Sequence, residues 1–144
     1  MGHMREALNA RLNTRISARV RGELTALARQ RHVDESELAR TLLEEGIRRE
    51  KHPGIAFRST PSGRQASIEG RRLYVWQAME TVWASDGDVD EAASYLGLTP
   101  EQVRAAVRYC AEYRGEIVGE IEANQREADR AQMEWRRHQD ALHP

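Results

Sequence analysis

Between Leu8 and Ile16 the chain alternates. Leu8, Ala10, Leu12, Thr14 and Ile16 fall on one side; Asn9, Arg11, Asn13 and Arg15 fall on the other. A period of two belongs to a half-buried β-strand. The period then changes. Ser17 is placed to cap a helix running to about Arg31, with Val20, Leu24, Leu27 and Ala28 along one stripe. After a break at His32-Val33, Asp34 caps a second helix running to about Glu50, with Glu37 where a capping box has it. Leu38, Leu42 and Leu43 are its apolar contribution, and His52-Pro53-Gly54 ends it.

Beyond Pro53 the pattern is different. Ile55 to Arg58 and Ala66 to Ile68 flank the turn-rich Thr60-Pro61-Ser62-Gly63, which predicts a small β-hairpin. Leu73 to Ala84 reads as a helix that is apolar on more than one face: Val75, Met79 and Val82 on one, Trp76 and Trp83 on another. Asp88 caps a short helix ending at Gly97. Thr99 caps the next, with Pro100 at its first position, where a missing N–H costs nothing. The last helix runs from about Arg114 towards Gln139. Its stripe, Ile117, Ile121, Asn124, Ala128, Ala131 and Trp135, is narrow.

Charge sharpens this division. The net charge is −1, but it is unevenly spread. Residues 1–33 hold seven Arg against Glu6 and Glu23, net +5, whereas residues 85–144 hold seven Arg against thirteen acids, net −6. A basic head and an acidic tail point to a polyanion at one end and a different partner at the other. Lys51 is the only lysine, so the other basic residues are Arg, the better ligand for phosphate and guanine. Cys110, the one cysteine, forms no intrachain disulfide, and a reducing cytoplasm is the expected location. No apolar run approaches a membrane span, no signal peptide is read, and Met1-Gly2-His3 ahead of Met4 reads as an expression remnant.

A strand followed by two helices leaves its own backbone groups unpaired. Antiparallel pairing of two copies across a two-fold axis satisfies them. The inner face, Leu12, Thr14 and Ile16, would then join Val20, Leu24, Leu27, Leu38 and Leu42 in a shared dimer core. The outer face would present Arg11, Asn13 and Arg15 twice. A two-stranded ribbon fits the major groove, where Arg reads guanine and Asn reads adenine. The open N–H groups of Glu35 and Ser36 would hold a DNA phosphate. The run Arg11-Leu12-Asn13-Thr14-Arg15-Ile16-Ser17, then Leu24, Leu27 and Ala28, then Val33, Asp34, Ser36 and Leu38, resembles the ribbon-helix-helix repressors of the Arc and CopG type. The resemblance covers residues 8–50 and implies an obligate dimer on operator DNA. One departure is His32, at a turn where the family often has Gly.

A second signature follows. His52-Pro53-Gly54-Ile55, Phe57-Arg58, Gly70-Arg71-Arg72-Leu73-Tyr74-Val75-Trp76, Tyr95-Leu96-Gly97-Leu98-Thr99-Pro100-Glu101-Gln102-Val103 and Ala105-Ala106-Val107-Arg108-Tyr109 resemble a small domain found in VapB-like antitoxins of bacterial toxin–antitoxin operons. That resemblance implies a hairpin, a helix-turn-helix-like bundle and a toxin partner. Residues 85–113 carry net −4, the wrong sign for a phosphate-facing surface. A protein-binding or dimer-stabilising role is therefore favoured for this region over a second DNA reader.

The expected architecture is mainly α: a ribbon-helix-helix module (5–51), a hairpin with a helix-turn-helix-like bundle (52–113), and a long C-terminal helix (114–144). Trp76, Trp83, Ile117, Ile121 and Trp135 are the expected partner-binding residues, with core packing as the plainer role for the two helix tryptophans. His32, His52, His138 and His143 lack metal-ligand spacing, no phosphate loop appears, and no catalytic constellation is read. The expectation is a non-enzymatic, cofactor-free antitoxin. It would act as a homodimer or higher even-numbered oligomer, repress its own operon and neutralise a cognate toxin, a nuclease by expectation. The alternatives are a stand-alone repressor, a plasmid-partition protein, or an adaptor with no DNA function.

Overall fold

The computed structural model describes residues 6–144; Arg5, where the expected N-terminal module begins, lies outside them. Among the described residues the elements are α1 (Ala18–Arg31), α2 (Glu35–Lys51), β1 (Ile55–Thr60), β2 (Gly63–Ile68), α3 (Val75–Ala84), α4 (Val89–Leu96), α5 (Pro100–Glu112) and α6 (Arg114–Ala141). The protein is mainly helical, with one small antiparallel sheet. It divides into two units between Pro53 and Gly54.

In the first unit the caps read from the sequence are in place. The Ser17 hydroxyl accepts the N–H of Val20 at 3.2 Å, and the Asp34 carboxylate accepts that of Glu37 at 2.8 Å. His32 ends α1 in the left-handed conformation, φ 56° and ψ 43°. The turn closes as Val33 donates its N–H to the Ala28 carbonyl at 3.1 Å.

Very little of this unit is buried: Ala28 and Leu38 alone among its described residues. Of the expected dimer core, Leu38 is buried, Leu24 and Leu27 are half-buried, and Leu12, Thr14, Ile16, Val20 and Leu42 are exposed. Residues 6–17 form no strand in the single chain. The physical reason is direct: a ladder needs a second backbone, and one chain brings only one copy of this segment.

The second unit closes on itself. β1 and β2 pair in register from Ile55↔Ile68 to Thr60↔Gly63 around the two-residue turn Pro61-Ser62. Ile55, Ala66 and Ile68 of the hairpin join Val75, Ala78, Met79 and Val82 of α3 in one core. Ala92 and Ala93 of α4, Leu98 of the turn after it, Val103, Ala105, Ala106, Tyr109 and Cys110 of α5, and Ile117 of α6 complete it. The hairpin lies close to α5. Gly54 has φ +90°, and a Cβ built on it would meet the Ala105 Cβ at 3.4 Å, so a side chain there is both strained and crowded.

Helix ends in this unit follow the sequence closely. The Asp88 carboxylate accepts from the Glu91 N–H at 3.1 Å. Gly97 takes the left-handed C-cap of α4, with φ 66°. Thr99 and Gln102 form a reciprocal capping box, at 3.1 and 2.9 Å, with Pro100 opening α5. No helix among the described residues is long and apolar enough to cross a membrane.

Candidate functional site

Arg11, Asn13 and Arg15 lie in the irregular segment ahead of α1, all exposed, as are Leu12, Thr14 and Ile16 between and beyond them. In a single chain the two sets are not separated into faces. What α1 and α2 do fix is their own pairing. Glu35, at the first position of α2, is bound by Arg21 at 2.7 Å and by the Thr25 hydroxyl, both on α1. The Thr25 hydrogen bond, and against the opposing effect of burial the Arg21 charge, hold the Glu35 carboxyl below its ordinary range. The Glu35 side chain therefore clamps the two helices together. The feature expected to meet phosphate is the backbone N–H of Glu35 and Ser36, since the Asp34 cap engages the N–H of Glu37.

An apolar surface accompanies these polar groups. Leu8 (77%), Leu12 (71%), Ile16 (50%), Ile47 (53%) and Leu43 (50%) are exposed, with Val20 and Leu42 just less so. Seven large aliphatic side chains in a unit of fewer than fifty described residues exceed what isolated surface apolar residues account for.

The second unit places its expected residues unevenly. Ile117, read as part of a partner-facing stripe, is instead fully buried in the core. The start of α6 packs against the bundle, so a boundary at 113/114 would cut through packed structure. Ile121 is half-buried against the same core. Trp76 is half-buried as well, its indole N–H donating to the Gln65 side chain at 3.1 Å and its ring stacked near Tyr74. Trp83 and Trp135 stay exposed, at 37% and 60%. The Arg114 guanidinium lies 5.1 Å from the Trp83 ring centre.

α4 and α5 are joined by the short turn at Gly97-Leu98. Arg104 is paired with Glu101 at 2.9 Å, and Arg108 and Tyr95 are exposed. Two further contacts were invisible in the sequence. Arg71 donates to the Gly97 carbonyl at 2.8 Å, bracing the turn between α4 and α5 from 26 residues away. The Tyr109 hydroxyl donates to Glu116 at 2.7 Å, binding α5 to α6. Arg71 and Gly97 have no spacing that would have announced the first, and the second joins residues on two different helices.

Cys110 is buried, and desolvation raises its thiol pKa against a smaller opposing effect of Arg114; it behaves as a small core hydrophobe. No group of three metal-ligating side chains comes together among the described residues. No family model, curated protein or solved structure matches the chain.

Proposed function

We propose that the protein is a dimeric DNA-binding antitoxin, in which residues 8–50 pair two copies and read an operator while the acidic residues 54–144 engage a toxin. The observation that carries the reading is the uncovered aliphatic surface of the first unit. Leu12, Ile16, Val20, Leu42, Leu43 and Ile47 stand in water on a unit whose own interior is little more than Ala28 and Leu38. A second copy, pairing its 8–16 segment antiparallel to the first, would cover them and satisfy both backbones. Strand parity then turns Arg11, Asn13 and Arg15 outward in a ribbon of the width the major groove accepts. The α2 N–H groups of Glu35 and Ser36 would receive a flanking phosphate.

The second unit supports the partner half of the reading through its sign. Residues 85–144 carry net −6, and a toxin acting on RNA presents basic surface to its substrate. Exposed Trp83 and Tyr95 give that acidic surface aromatic anchors.

Gel-shift titration with DNA from upstream of the gene tests the reading. Arg11→Ala and Arg15→Ala should each weaken binding by about 1–3 kcal/mol per base contact. Unchanged binding in both, with loss in Arg104→Ala, would make α5 the reader and reverse the assignment. Co-expression with the neighbouring gene product tests the partner. Full rescue from toxicity by residues 1–51 would remove the second unit from that role.

A further inference from the structure

Residues 122–138 of α6 are exposed without interruption, and α6 beyond Ile121 buries no residue. That is a helix of roughly 30 Å, at 1.5 Å per residue, with no core beneath it. An isolated helix of this length is marginal in water, because helices are held mainly by packing of an apolar face. Its sequence is nonetheless strictly patterned. In heptad register g to f it reads Glu120-Ile121-Glu122-Ala123-Asn124-Gln125-Arg126, then Glu127-Ala128-Asp129-Arg130-Ala131-Gln132-Met133, then Glu134-Trp135-Arg136-Arg137-His138-Gln139-Asp140. Glu stands at g and Gln at e in all three of these heptads. The a positions are Ile121, Ala128, Trp135 and Leu142, of which Trp135 and Leu142 are 60% and 71% exposed.

We infer that this seam is covered by the same helix of a second copy, in a parallel, in-register coiled coil. The flanks repeat every seven residues, the period of a supercoiled pair, while the seam they enclose carries Asn124, Ala131 and His138 at d, so its apolar content beyond the core-packed Ile121 rests on Trp135 and Leu142. The flanks decide the direction. An antiparallel pair sets g against g, facing Glu120, Glu127 and Glu134 against their equivalents in a row of like charges. Gln125 donates to Asp129 of its own helix at 3.1 Å, so a parallel pair, which sets g against e of the next heptad, gives Glu127–Gln132 and Glu134–Gln139. Each of those is a carboxylate that accepts a hydrogen bond from an amide, with no repulsion. Asn124 in the seam penalises slipped registers, in which it would face an aliphatic residue. The small Ala128 and Ala131 let the backbones approach, and Trp135 fills the end of the seam. The inference does not rest on the ribbon assigned to residues 8–16, and it leaves the outward positions of α6 open to a partner.

Single cysteines introduced into the full chain test it, with the unaltered protein as background because Cys110 is buried. Ala128→Cys and His138→Cys lie on the seam, Arg126→Cys on the outer face, and all three sites are exposed, so folding is not at issue. Under mild oxidation both seam variants should form disulfide-linked dimers at least about tenfold faster than Arg126→Cys, the advantage expected of a held pair over random collision. An antiparallel pair can bring at most one seam position opposite itself, so bridging at only one of the two overturns the parallel arrangement. Equal rates at all three sites, or no bridging on the seam, overturns the coil and leaves the helix to a different partner. Repeating the oxidation with Leu12→Asp separates the two dimer contacts. Seam bridging that persists there shows pairing through α6 alone, and bridging that disappears overturns its independence.

Discussion

The two units devote similar proportions of their residues to helix, with opposite effect. Residues 54–144 bury aliphatic side chains from the hairpin and from α3 to α6 in one core, and the large side chains left outside, Trp83, Tyr95, Met133, Trp135 and Leu142, are scattered or lie on the far part of α6. Residues 6–53 have two well-capped helices, yet leave seven large aliphatic residues in water. The difference comes from the number of layers. Four helices and a hairpin can enclose a volume, whereas two helices can cover only one side of each other. A capped, correctly patterned segment is therefore not yet a folded one. Its apolar face has to meet something.

The sharpest way to break the comparison is in the closed unit. Tyr109 is fully buried, makes an edge contact with Phe57 and a tilted one with Tyr113, and bonds Glu116. Tyr109→Ala should cost about 3–5 kcal/mol in urea unfolding, by a loss independent of protein concentration. A cost below 1 kcal/mol would mean that α5 is not the centre of this core.

The open unit should answer differently. Leu12→Asp replaces an exposed side chain, so in a lone chain it should change stability by no more than about 0.5 kcal/mol. In a paired ribbon it buries two carboxylates, and light scattering should show dimerisation through this module weakened by about a hundredfold or more. Dimers unaffected by Leu12→Asp would remove residues 8–16 from the interface.

Smaller effects sharpen the picture. Arg71→Ala deletes the hydrogen bond to the Gly97 carbonyl and should lower the stability of the second unit by about 0.5–1.5 kcal/mol. His32→Gly relieves a left-handed non-glycine residue, and should raise the stability of the first unit by roughly 0.5–1 kcal/mol after the added freedom of the unfolded chain is counted. A loss instead of a gain would show that the His32 side chain contributes more than its backbone strain costs.

The smallest effect is that of pH. Because the folded Glu35 carboxyl titrates below its unfolded value, its contribution is complete above the unfolded pKa and is lost as pH falls through the lowered one. Urea midpoints of wild type and Glu35→Gln should therefore differ most near neutrality and converge in acid. A constant difference at all pH values would assign the effect to packing instead of charge.

Local features of this protein were legible because their causes are local. Ser17, Asp34, Asp88 and Thr99 cap the helices they precede, since each cap needs only an N–H two or three residues on. The hairpin around Pro61-Ser62 and the stop at Gly97 follow from turn chemistry in the same way. The charge division between residues 1–33 and 85–144 is likewise a property of the chain alone. Which face of each helix is covered was not so legible. Ile117 and Ile121 share the α6 stripe with Trp135, and periodicity treats the three alike. Only packing against the bundle buries Ile117, half-buries Ile121 and leaves Trp135 in water. The braces from Arg71 to Gly97 and from Arg21 to Glu35 were decided the same way. Periodicity specifies that a face is apolar; what covers it depends on which elements the chain brings within reach.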